Sequence, residues 1–220
     1  MAYRLFIFDL DGTLIDSGAG VKKALEVFED KLGLEHFPQD KADFIVGPPI
    51  GESIHKTHPE LDMAKIDEYG RIFDECYTGV LLYGTYAYKG VAEMLDKIRE
   101  KGGIAAIDTA KRENLATGVL TECGLLDKFD YIEFWSEQKN NKPLLVENVI
   151  AHYGIPKEEI CTIGDSRFDG EAANANGIDL IAVKYGYGFG KFDDEMKYNP
   201  KYIVNSVEEL TELLMANIKE

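Results

Sequence analysis

Two aspartates flanking a single leucine, Asp9-Leu10-Asp11, follow directly on the apolar run Leu5–Phe8 and lead into Gly12 and Thr13. Four aromatic and branched residues are too few for a useful helix. They fit a strand buried on both faces that stops abruptly in a polar turn. In an open parallel sheet, ligands bind beyond the carboxyl ends of the strands, so Asp9 and Asp11 stand where chemistry is expected. One carboxylate there can act as a nucleophile and form a covalent intermediate, splitting one displacement into two, while a neighbouring carboxyl group moves protons.

Later segments end in polar residues of a matched kind. Asp108-Thr109-Ala110-Lys111 follows the apolar run 104–107, and Gly164-Asp165-Ser166-Arg167-Phe168-Asp169 follows the run 160–163. Between them Lys142 precedes Pro143, at the start of a predicted helix. Four carboxylates in one pocket repel strongly, since two unit charges about 4 Å apart cost about 4 kcal/mol at an effective dielectric of about 20. A divalent cation removes the conflict, and hard oxygen ligands favour Mg²⁺. Thr109 can cap the next helix, whose N-terminal amides favour an anion. Lys142 can neutralise negative charge that develops during a reaction. Gly12 lets the backbone approach a ligand closely.

The elements that position these residues alternate. Strands are predicted at 5–8, 104–107, 131–134, 160–163, 180–183 and 202–204, with helices over about 90–101, 112–123, 143–152 and 169–174 and a C-terminal helix capped by Ser206 and Glu209. That order implies an α/β fold, a Rossmann-like doubly wound parallel sheet. Between residues 15 and 100 no strand is predicted. Helical spacing recurs instead over 17–32, 51–57 and about 63–82, an interval far too long for a simple crossover. Residues 15–82 are therefore expected to form an inserted α-helical cap domain on a core of residues 1–14 and 83–220.

The segment Asp9-Leu10-Asp11-Gly12-Thr13-Leu14, the strand-end Thr109, Lys142 and Gly164-Asp165-x3-Asp169 together resemble the haloacid dehalogenase-like hydrolases in their phosphatase branch, the phosphoglycolate phosphatase group above all. The resemblance spans nearly the whole chain. It implies that Asp9 is the nucleophile, that Asp11 is the general acid and then base, and that Lys142 braces Asp9. It places phosphate against Gly12, Thr109, Ala110 and Lys142. Mg²⁺ would be held by Asp9 and Asp165 side chains, the Asp11 backbone carbonyl, and Asp169 from behind or through water. The implied substrate is a small phosphorylated metabolite. A nucleoside monophosphate, or a phosphate ligand bound without turnover, is the alternative.

The chain departs from the family pattern at Asp108, where an apolar residue is usual, and at Ala110, where a small polar one is usual. Strand alternation turns Asp108 away from the phosphate if Thr109 faces it. Asp108 is expected to be paired or water-exposed and to lower phosphate affinity modestly.

A formal charge of -16 over 220 residues argues against nucleic acid and anionic membrane as partners. Three widely spaced cysteines, Cys76, Cys123 and Cys161, suit reduced thiols. With no signal-like segment and no apolar run of spanning length, a cytoplasmic protein is expected, monomeric or homodimeric. His55 and His58 share a helix face but have no third ligand nearby, so a surface or packing role is expected. Gly186, Gly188 and Gly190 read as a flexible loop near the site mouth.

Overall fold

The structure, a computed structural model, describes residues 2–219. Its centre is a six-stranded, all-parallel sheet of β1 (Leu5–Phe8), β4 (Ile104–Thr109), β5 (Tyr131–Phe134), β6 (Ile160–Gly164), β7 (Asp179–Val183) and β8 (Tyr202–Val204), in the order β5-β4-β1-β6-β7-β8. All four β1 residues are buried because the strand is covered on both faces. Leu5 and Ile7 pack with Val146 and Val149 of α6 (Lys142–Tyr153) and Ala172 of α7 (Arg167–Asn176). Phe6 and Phe8 point the other way. They join Met94 and Leu95 of α4 (Val91–Glu100), Val119 of α5 (Glu113–Glu122) and Leu210 of α8 (Val207–Asn217). This is the expected doubly wound arrangement.

Strand pairing decides where the site forms. Phe8 lies in register with Ile107 on one side and Ile163 on the other. The residues just beyond these partners, Asp9, Asp108-Thr109 and Gly164-Asp165, therefore emerge side by side at one sheet edge.

Between β1 and β4 the chain forms α1 (Gly18–Leu32), α2 (Ile50–Thr57) and α3 (Ile66–Val80). They share an apolar centre, which Leu115 of α5 joins and in which Phe28 is fully buried against Tyr69 and Phe73. Glu29, also fully buried, accepts from the Phe37 amide at 3.0 Å and lies 2.9 Å from His58 Nε2. His58 thus has the packing role, and His55 is exposed.

One expectation needs correction. Two short strands do occur between residues 15 and 100: β2 (Ile15–Asp16) pairs antiparallel with β3 (Tyr86–Ala87). Two residues are too few to show a period in sequence. This ribbon ties together the points where the chain leaves and rejoins the sheet region. Among the described residues no helix is long and apolar enough to cross a membrane.

Phe28→Ala is expected to cost about 3–5 kcal/mol, measured by urea unfolding followed by circular dichroism. A loss below 1 kcal/mol would mean that the three helices do not share a working core.

Candidate active site

Lys142 organises the charged centre. It enters at the first turn of α6, which begins cleanly because Asn141 caps the Leu144 amide at 3.0 Å and Pro143 fits the start of a helix. Its ammonium lies 2.5 Å from Asp9 Oδ1, 2.7 Å from Asp169 Oδ1 and 3.1 Å from Asp108 Oδ2. All four residues are buried. Burial opposes the ammonium charge, but the surrounding Asp108, Asp169 and Asp9 carboxylates outweigh it and raise the lysine well above its ordinary range.

Asp108 is accordingly paired, and it is not water-exposed. It is turned into the cluster through Lys142, although neither of its oxygens receives a well-directed hydrogen bond. Burial pushes its carboxyl well up, helped by Asp169 and Asp9 and opposed by Lys142.

Asp165 and Asp169 come from the other side of β1. Asp169 Oδ2 accepts from the Ser166 amide at 3.0 Å and the Ser166 hydroxyl at 2.8 Å, a capping box that starts α7 and fixes the carboxylate. Asp165 Oδ2 accepts from the Tyr187 amide at 2.5 Å and the Gly188 amide at 3.2 Å. The glycine loop after β7 therefore holds Asp165 directly, closer in than a loop at the mouth. Gly186 permits it, because a methyl group there would overlap Asp165 Oδ2 and the Gly12 carbonyl. Gly12 itself has φ of 85°, a left-handed conformation that suits glycine, and also packs against Asp165.

Asp11 is clasped from the β4 side. Lys111 Nζ lies 2.6 Å from both its oxygens, and Ser17 Oγ donates to Oδ1. The Lys111 ammonium also sits over the Tyr77 ring of α3, 4.9 Å from its centre. Neither Ser17 nor Thr109 caps the helix that follows it. Ser17 spends its hydroxyl on Asp11 and does not cap α1. Thr109 does not cap α5, because residues 110–112 intervene; its Oγ1 accepts from the Lys111 amide at 3.1 Å. Ala110 lines a small cavity next to Asp11.

Asp9, Asp165 and Asp169 can each place one oxygen so that all three lie within 4.8 Å of one another. With Asp11 and Asp108, five carboxylates meet the two ammonium groups of Lys142 and Lys111, leaving three excess negative charges if all are ionised. The strain shows on two more of them besides Asp108. Burial pushes Asp9 up to about 7, against the pull of Lys142 and helped by Asp169 and Asp11. Burial, Asp9 and Asp169 push Asp165 well up. Both recorded hydrogen bonds to Asp165 fall on Oδ2. A hard divalent cation fits this all-oxygen, charge-excess set.

Sequence reasoning left Lys111, Ser17, Tyr77 and the Tyr187-Gly188 amides without roles. Lys111 carried the one usable signal, its place two residues past Thr109 at a site strand end.

A sequence profile of the haloacid dehalogenase-like hydrolases matches residues 6–183. The chain belongs to this family. It is 31% identical over 214 residues to a phosphoglycolate phosphatase of Chromobacterium violaceum, covering 94% of each chain. It is 25% identical to a 5'-nucleotidase of Pseudomonas aeruginosa, covering 97% of this chain and 96% of the relative. In structure it superposes on a haloacid dehalogenase-like family hydrolase of Streptococcus pneumoniae with a TM-score of 0.86 over 96% of this chain and 98% of that one, at 24% identity. The last likeness establishes the fold. The family and these full-length relatives make the chain an enzyme of the phosphatase kind within the hydrolases.

Mg²⁺ added to the purified protein is expected to raise the melting temperature, since a ligand of the folded state at a hundred times its Kd contributes about 2.7 kcal/mol. Asp165→Asn should abolish the rise. An unchanged melting temperature in the wild type at saturating Mg²⁺ would contradict the cation site.

Proposed function

We propose that the protein hydrolyses a small phosphorylated metabolite through an aspartyl-phosphate on Asp9, with Mg²⁺ as cofactor. The observation that carries the reading is the Asp9 carboxylate held 2.5 Å from a buried lysine, in a three-aspartate cluster at the carboxyl edge of a parallel sheet. Asp9, Asp165 and Asp169 would hold the cation, with the Asp11 carbonyl. When bound, it supplies positive charge that keeps the carboxylates ionised and draws electron density from phosphoryl oxygens.

The chain's own groups account for the rest. Asp9 follows the last residue of β1, and Lys142 fixes its carboxylate so that one oxygen can attack phosphorus. Lys142 remains beside the transferring group as negative charge builds there. Thr109, at the end of the adjacent strand, would donate to a phosphoryl oxygen, with Ala110 next to it. Asp11 delivers a proton to the departing alcohol oxygen and then takes one from the water that cleaves the aspartyl-phosphate. For this, its contact with Lys111 must loosen when substrate enters.

Residues 15–82 act as a cap over residues 1–14 and 83–220. The two parts are joined by Arg167 to both Glu52 oxygens at 2.6 Å and by Arg112 to Asp74 at 2.7 Å. A cap in contact with Lys111 through Tyr77 can exclude water while Asp9 is phosphorylated. The relative named 5'-nucleotidase supports a nucleoside monophosphate as the second candidate substrate.

Turnover of p-nitrophenyl phosphate should require Mg²⁺, and Asp9→Asn should lower kcat about a thousandfold or more. Absence of Mg²⁺-dependent turnover in the folded wild type would overturn the enzyme reading in favour of a phosphate-ligand binder.

A further inference from the structure

The two cavities between Asp11 and the helical unit are where a leaving group must lie, because Asp11 faces the smaller. That cavity, about 70 Å³, is lined by Asp11, Lys111, Tyr77 and Asp74. A larger one of about 200 Å³ shares Ile50, Asp74 and Ala110 with it and is bounded outward by Arg112, Trp135 and Glu137. Both cations in these walls already face carboxylates. Lys111 is engaged by both oxygens of Asp11. Arg112 Nε donates to Asp74 at 2.7 Å, its Nη2 lies 4.0 Å from Glu137, and its guanidinium covers Trp135 at 4.5 Å. Asp67, Asp74 and Glu137 thus line the larger cavity beside one guanidinium, an excess of two negative charges when all are ionised.

We propose that this pocket selects phosphomonoesters whose leaving alcohol is neutral or carries an ammonium group, and disfavours those whose leaving alcohol carries a carboxylate or second phosphate. An incoming anion would have to share Arg112 with Asp74 and stand beside Asp67 and Glu137. A neutral or ammonium-bearing group keeps the pair and gains acceptors. The inference rests on the phosphatase reading above, and it separates this chain from relatives named for phosphoglycolate.

The test is a charge series on one two-carbon frame: O-phosphoethanolamine, 2-hydroxyethyl phosphate and phosphoglycolate, assayed with Mg²⁺ at low and high salt. The first two should exceed phosphoglycolate in kcat/KM by about tenfold or more, with the gap narrowing at high salt. If turnover is slow, the same order is read from their inhibition constants against p-nitrophenyl phosphate. Asp74→Asn, which frees Arg112, should shrink the ratio of phosphoethanolamine to phosphoglycolate about fivefold or more. The double variant Asp67→Asn with Glu137→Gln, at exposed positions, should shrink it too even if Asp74→Asn fails to fold. Equal or better use of phosphoglycolate, or ratios unmoved in these variants, overturns the selectivity while leaving the phosphatase reading intact. Failure to turn over p-nitrophenyl phosphate overturns both.

Discussion

The buried Lys142 ammonium, set among Asp9, Asp108 and Asp169, is the contact on which the rest of the site depends. Each carboxylate comes from a different strand end or helix start, so one cation couples β1, β4 and α7. Removing it would leave three buried acids without a positive partner, which is far more costly than the pair is stabilising. The sheet registers make the convergence possible. Phe8, Ile107 and Ile163 lie level, and the first polar residues after them share one edge.

One ammonium cannot balance that edge. Asp165 is held by backbone amides rather than by a cation, and Asp11 takes its charge partner from Lys111. The elevated Asp9 and Asp165 carboxyls register the shortfall. The same chain-wide acidity continues outward, where Asp74 and Glu137 occupy Arg112. A single electrostatic constraint therefore links the need for a cation in the centre with the proposed preference for leaving groups lacking negative charge.

Much of this was legible in the sequence because two periodicities agree with it. Runs of four residues followed by aspartate or glycine marked three central strands and their reactive ends, and helical spacing marked α1–α3. The short ribbon of β2 and β3 was not legible, since its two-residue strands carry no period. Nor was the Lys111–Asp11 contact, which joins residues a hundred positions apart through strand adjacency alone. Asp108 was read from alternation, a rule about faces of a flat strand. Near the end of β4 the long Lys142 side chain reaches the carboxylate and brings it into the cluster. The Gly186–Gly188 loop likewise showed its composition but not its purpose, which depends on where Asp165 emerges.

The most direct test of the account is chemical trapping of the covalent intermediate. Wild-type protein mixed with substrate and Mg²⁺, quenched in acid during steady turnover and reduced with borohydride, should yield homoserine in place of Asp9 in the peptide bearing Leu5–Phe8. Reduction confined to another aspartate, or turnover with no modified carboxylate, would contradict the assignment of Asp9 as the nucleophile.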